Sequence, residues 1–176
     1  MKFEIRCSKY IPRRNLPESI SRKRGESNFV NAFKDALLDE HTCCVLAKEF
    51  DLVGYGIADL MCVYPTEGKL QFVAFELKID DWRRALSQAY RYTYFADLSV
   101  VVLPAHLKEK EVEIIQHFRN AGVGLWYFDS KAKQIVKSYM PIDAEFRNQS
   151  ARNKALKVLM RKVKFRKFSE SFETVK

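Results

Sequence analysis

The chain lacks several signatures that would each have fixed a class. It has no apolar run of about 18 residues, so no membrane-crossing helix is expected. Its opening, Met1-Lys-Phe-Glu-Ile-Arg, has no apolar signal segment, so no secretory leader is expected either. Its four cysteines, Cys7, Cys43, Cys44 and Cys62, show no C-x-x-C spacing. That argues against a zinc ribbon and a disulfide scaffold, and reads as reduced, buried thiols in a cytoplasmic protein. The three histidines, His41, His106 and His117, share no spacing and no acidic partner, so histidine-based metal binding or catalysis is not expected. There are no internal repeats and no low-complexity runs. Most telling, residues 147–168 contain no acidic side chain.

What is present is a chain of 176 residues, 47% apolar, enough for one domain with a sizeable core. The net charge of +9 is unevenly placed. Residues 1–146 hold 21 basic and 20 acidic side chains. Residues 147–168 hold nine basic ones: Arg147, Arg152, Lys154, Lys157, Arg161, Lys162, Lys164, Arg166 and Lys167. The chain therefore divides into a near-neutral region, 1–146, and a basic segment, 147–176, packed on it or extending from it. Ala151, Ala155, Leu156, Leu159, Met160 and Val163 form one helical stripe, with Lys154, Lys157, Arg161 and Lys164 beside it. A concentrated basic face is the footprint of a phosphate-backbone binder. A solvated helix face and a membrane-surface helix are its alternatives. A second basic cluster, Arg13, Arg14, Arg22, Lys23 and Arg24, flanks a loop marked by Pro12 and Pro17.

The chemistry lies in the two most apolar strand-like runs, 55–63 and 70–79, which carry Asp59, Glu76 and Lys78. Charge in a sheet core is costly unless it is paired or binds metal. Thr66-Glu67-Gly68-Lys69 closes a hairpin if Gly68 takes a positive φ. Pairing Thr66 with Lys69 sets Asp59 opposite Glu76 and Ile57 opposite Lys78. Alternation then puts Ile57, Asp59, Met61, Ala74, Glu76 and Lys78 on one face. Ala58, Leu60, Cys62, Val73, Phe75 and Leu77 fall on the other, as core. Two carboxylates about 5 Å apart at Cβ repel unless a cation or a proton separates them. A hard divalent ion such as Mg²⁺ fits oxygen ligands of this kind. A buried Asp–Lys–Glu salt bridge holding the sheet is the alternative.

Asp59, a hairpin and then Glu76-x-Lys78 resembles the PD-(D/E)xK nuclease superfamily, with its restriction-endonuclease-like fold. Glu26, read as opening a helix before the hairpin, and Gln88, in the helix after Lys78, agree with that pattern. So does the strand Leu98–Leu103. The similarity covers roughly residues 22–128. Ala58 stands where the motif name has proline. The resemblance implies an α/β (α+β mixed) fold: a central mixed sheet flanked by helices, order αβββαβ, with a further helix and strands and a basic C-terminal helix. It implies a metal-dependent endonuclease, a DNase in the first instance, with Mg²⁺ or Mn²⁺ as cofactor. Asp59, Glu76, the Leu77 carbonyl and Glu26 would hold metal. Lys78 would position or help deprotonate the attacking water, with Gln88 orienting it. Arg84, Arg91, Lys154, Lys157, Arg161 and Lys164 would meet the nucleic acid.

Periodicity sets out the remaining elements. A strand or arm is expected near 3–11, a helix over 26–40, and strands over 42–50, 98–103, 123–128 and 134–139. Further helices are expected over 81–95 and 107–120. Trp82, Ala85, Leu86 and Ala89 form the inward face of the helix after Lys78, and Tyr92 reads as ordinary core or rim. Two other function classes remain: a nucleic-acid-binding module that has lost its chemistry, and a scaffold or oligomerisation domain. A homodimer is compatible with cutting two strands.

Overall fold

Seven runs rich in β-branched and aromatic residues pair into one sheet in a computed structural model, which describes residues 2–6, 19–40, 44–66, 69–142 and 144–173. The strands are β1 (Lys2–Arg6), β2 (Cys44–Leu52), β3 (Gly56–Thr66), β4 (Lys69–Leu77), β5 (Leu98–Pro104), β6 (Gly124–Asp129) and β7 (Gln134–Tyr139). Their order in the sheet follows the chain. β2, β3 and β4 form an antiparallel meander, β4, β5 and β6 run parallel, β1 joins β2 in parallel, and β7 closes on β6 antiparallel. β5 is buried along its whole length, as a parallel strand covered on both faces must be.

Helices cover both faces. α1 (Ser19–Glu40) lays Phe29, Val30, Phe33, Ala36 and Leu37 on one side, against Leu60, Cys62, Val73, Phe75 and Leu77. On the other side lie α2 (Trp82–Tyr92), α3 (Glu111–Ala121), α4 (Gln149–Met160) and α5 (Val163–Glu173). They cover Met61, Val63, Phe72, Ala74, Val101 and Leu103. The expected mixed α/β sheet flanked by helices is therefore present. No helix among the described residues is long and apolar enough to cross a membrane. Cys44 and Cys62 are buried, and Cys7, Cys43 and His41 lie outside the described residues.

Several boundaries differ from the sequence expectation. Glu26 does not open α1; the helix begins at Ser19. The added turns, Ser-Ile-Ser-Arg-Lys-Arg, lack apolar periodicity but contain good helix formers. Gly25 sits inside the helix because a Cβ there would stand 3.2 Å from Ile79 Cδ1, so glycine lets α1 lie close to the end of β4. The helix expected over 107–120 starts as a 3₁₀ segment, Ala105–Lys110, before α3. Gly122, with φ 66, ends α3 in the left-handed conformation that glycine adopts without strain.

The basic segment is two helices rather than one. Asn148 caps α4 by accepting the Ala151 N–H at 2.9 Å, and the chain breaks at Arg161–Lys162 before α5. Ala151, Ala155, Leu159 and Phe165 are buried in the core. Leu156 and Met160, expected in the inward stripe, are 37% and 40% exposed, because the packed face is the narrow line Ala151, Ala155, Leu159 and each of the two lies one residue, about 100°, past it. Arg152, Arg147 and Lys154 hold the segment to the domain. Arg152 donates to Leu70 O (2.7 Å) and Phe95 O (3.1 Å), pairs with Asp97 (2.8 Å) and stacks 3.4 Å over Phe72. Arg147 donates to the Tyr90 hydroxyl and Ala121 O. Lys154 donates to Val53 O at 2.7 Å, so it does not point freely outward as expected.

Candidate active site

The β3–β4 register is the expected one, running from Thr66↔Lys69 to Leu60↔Phe75. The turn residues, Glu67 and Gly68, lie outside the described residues. The ladder stops one position short of Asp59 and Glu76, where the strands part. Instead of a backbone partner, Leu77 N–H donates to Asp59 Oδ2 at 2.8 Å. β4 continues on its other edge, where Lys78 N–H donates to Val102 O at 3.3 Å. The carboxylate of Asp59 thus fills the gap between two diverging strands.

A matching irregularity lies on β2. Lys48 pairs with Leu60 and Phe50 with Ala58, but Glu49, directly across from Asp59, makes no ladder pair. Glu49 has φ 52, unusual for a residue with a Cβ. The face parity of both strands switches here. Val45 and Ala47 share a core layer with Phe50 and Leu52, and Met61 shares it with Ala58. This corrects the expected face assignment: Ala58 lies with Met61, not with Leu60. A strict period of two cannot survive a left-handed residue in the strand. Met61 and Ala74 are also core, so only Asp59, Glu76 and Lys78 of the expected polar face lie at the site.

The parted strand ends border a cleft of about 390 Å³ lined by Glu26, Ser27, Val30, Lys48, Glu49, Asp59, Leu77 and Lys78. Glu26 comes from α1, Lys48 and Glu49 from β2, Asp59 from β3, and Leu77 and Lys78 from the end of β4. Glu76 lies behind them, 1% exposed. Lys78 Nζ stands 2.9 Å from Glu76 Oε1 and donates to Leu77 O at 3.3 Å.

Tyr92 reaches Glu76 from the far end of α2. Its hydroxyl oxygen lies 2.7 Å from Glu76 Oε2 and 2.7 Å from the Ile57 carbonyl. Both neighbours are acceptors when Glu76 is ionised, and one hydroxyl has one proton to give. Both contacts are satisfied if Glu76 is neutral: it donates to Tyr92, which donates to Ile57 O, while Oε1 still accepts from Lys78.

The electrostatics agree. Burial and then the charge of Asp59 push the Glu76 carboxyl up to about 7, against the pull of Lys78 and Tyr92. Asp59 is raised by burial, opposed by Lys78 and the Leu77 N–H, with Glu26 and Glu49 adding to the rise. Burial lowers the Lys78 ammonium, but Glu76 and Asp59 outweigh it and the net shift is upward. Burial and Glu76 raise the Tyr92 hydroxyl. Burial favours protonation of both carboxylates, with Asp59 adding to the effect on Glu76 and Glu26 and Glu49 to that on Asp59, and a bound cation would oppose it.

The donor set is all oxygen: Asp59, Glu76, the Leu77 carbonyl and, across the cleft, Glu26 and Glu49. That suits a hard ion rather than zinc. Among the described residues no three His, Cys, Asp or Glu side chains converge tightly enough to form a ready cage. Mg²⁺ does not require one, since it is commonly held by one or two carboxylates together with water and substrate phosphate. The site fits such an ion.

The outer residues divide. Gln88 lies one turn before Tyr92 on α2, and its Oε1 is buried without a partner. No hydrogen bond joins it to Lys78. Arg84 and Arg91 are exposed on α2, and Arg91 approaches Gly56 at the start of β3. Lys157 on α4, Arg161 in the break after it and Lys164 on α5 are exposed, separate from the cleft lining. Arg13 and Arg14 lie outside the described residues. Sequence reasoning missed Lys48, Glu49 and Tyr92. Tyr92, expected as ordinary core or rim beside the stripe of Trp82, Ala85, Leu86 and Ala89, is buried on the same face of α2 as Ala85 and Ala89. Nothing local marks Glu49 as left-handed.

No protein-family model matches the chain, and no curated protein matches its sequence.

Proposed function

We propose that this chain is a metal-dependent nuclease of the PD-(D/E)xK type on a restriction-endonuclease-like core, with DNA as the expected substrate. The observation that carries the reading is the meeting of Asp59, Glu76 and Lys78 at the parted ends of β3 and β4, beside a cleft that Glu26 also lines. Asp59, Glu76 and the Leu77 carbonyl would hold Mg²⁺ or Mn²⁺, with Glu26 across the cleft. When bound, such an ion polarises a phosphoryl oxygen and lowers the pKa of its water. Tyr92 fixes the Glu76 carboxyl, and the Leu77 N–H fixes Asp59. Lys78, held by Glu76, is placed to orient the attacking water and to offset charge on the phosphate. The exposed cations of α2 and of the basic segment, namely Arg84, Arg91, Lys157, Arg161 and Lys164, supply sequence-independent attraction for a polyanion. Lys154 is tethered to Val53 and contributes less.

A second reading, a binding module without catalysis, is favoured by Glu76 lying buried behind the cleft rather than in its lining. The two separate in one assay: labelled duplex, single-stranded, flap, nicked and four-way-junction DNAs, incubated with Mg²⁺ or Mn²⁺ beside Lys78→Ala. Metal-dependent cutting by the wild type alone supports the nuclease. Binding on every substrate without cutting, with or without metal, supports the module.

A further inference from the structure

Lys48 is the cleft cation that the triad does not use. It sits on β2 opposite Leu60, and its ammonium donates to Asn31 Oδ1 on α1 at 2.7 Å. Three carboxylates line the same cleft, Glu26, Glu49 and Asp59. Among the described residues Lys48 pairs with none of them, and Asn31 is its one hydrogen-bond partner. A lysine serving stability alone would gain more from a charged partner than from a neutral amide. An ammonium has three donors, and Asn31 takes one. Asn31 therefore holds Lys48 at the cleft with donors left for an anion. Lys78 differs, because Glu76 and the Leu77 carbonyl already engage it. In the sheet, β3 lies between β2 and β4, so Asp59 stands between the two lysines. A phosphodiester chain crossing these strand ends meets Lys48 on one side of Asp59 and Lys78 on the other.

We infer that Lys48, positioned by Asn31, binds the substrate phosphate next to the one that Lys78 faces; this rests on the nuclease reading. Lys48 is then a substrate-binding residue, and its loss weakens binding more than it slows chemistry.

The test uses the full chain and a labelled DNA duplex, with affinity measured across a salt series in chelator. Lys48→Gln keeps a hydrogen bond to Asn31 but removes the charge. It should bind about tenfold more weakly and show a log K against log salt slope smaller in magnitude by about one. Lys48→Arg should restore both. If Lys48→Gln melts early, Asn31→Asp serves instead, because its new carboxylate captures the ammonium and should weaken binding with the lysine still present. Under Mg²⁺ the loss should appear in KM rather than kcat. Affinity and salt slope unchanged in a folded Lys48→Gln or Asn31→Asp would overturn this inference alone. A wild-type chain that binds no DNA would overturn the nuclease reading and this inference with it.

Discussion

Glu76→Gln is expected to flatten the pH dependence of folding stability in the metal-free protein. Glu76 is 1% exposed, and its carboxyl is pushed from an ordinary value of 4.5 to about 7 by burial and by Asp59. The folded state therefore holds this proton more tightly than the unfolded state. The resulting stabilisation is fully present below about pH 4.5 and is lost as pH rises through about 7. A shift of that size corresponds to about 3 kcal/mol at 1.36 kcal/mol per unit. Glutamine cannot ionise, yet its amide can donate to the Tyr92 hydroxyl while its oxygen accepts from Lys78. The stability difference between variant and wild type should therefore move in favour of the variant by about 3 kcal/mol between pH 4.5 and 8. Urea unfolding in chelator, followed by tryptophan fluorescence at several pH values, measures it. Adding Mg²⁺ at pH 8 should recover stability in the wild type and not in Glu76→Gln, because a ligand stabilises the state that binds it. A difference that stays flat across this range would refute the reasoning, since Glu76 would then ionise as an ordinary glutamate.

Arg152→Ala should lower stability by about 3 kcal/mol in urea unfolding, because it leaves Asp97 half-buried without its ion pair and frees two carbonyls; a loss confined to DNA affinity would instead make Arg152 a nucleic-acid contact. Glu49→Gly should be tolerated better than Glu49→Ala by about 1 kcal/mol, the reverse of the order usual in strands, because only glycine adopts φ 52 without steric cost. Equal melting temperatures for the two variants would count against a left-handed Glu49.

The parts of this structure legible in the sequence are those governed by local period. Apolar alternation in 55–63 and 70–79 gave the hairpin, and the turn at 66–69 gave a register in which Thr66 does pair with Lys69. Alternation along the second run put Glu76 and Lys78 on one face whatever the register, and they do meet. The ends of α2 and α3 are local features as well, a cap at Asp81 and a left-handed Gly122. What escaped depends on contacts distant in sequence. The first turns of α1 have no apolar face to announce them, and Gly25 looks like a helix breaker until Ile79 is packed against it. Lys154 read as part of a basic stripe and Arg152 as one more cation of the basic segment, because their acceptors, Val53 for the first and Leu70, Phe95 and Asp97 for the second, lie 55 to 101 residues away. Tyr92 had the spacing of a core residue and is one, but its hydroxyl finds Glu76 only after α2 folds back over the sheet. Glu49 and Asp59 line one cleft at a switch in strand parity, which a pattern of period two cannot anticipate.

The most direct test of the central claim is cleavage of end-labelled DNA by the wild type, Asp59→Ala and Lys78→Ala, each with Mg²⁺ and with chelator, with the product ends identified. The account predicts cutting by the wild type only, with Mg²⁺ only, leaving 5′-phosphate and 3′-hydroxyl ends, while both variants melt cooperatively. Cutting that persists in chelator, or in folded Lys78→Ala at the wild-type rate, would contradict it.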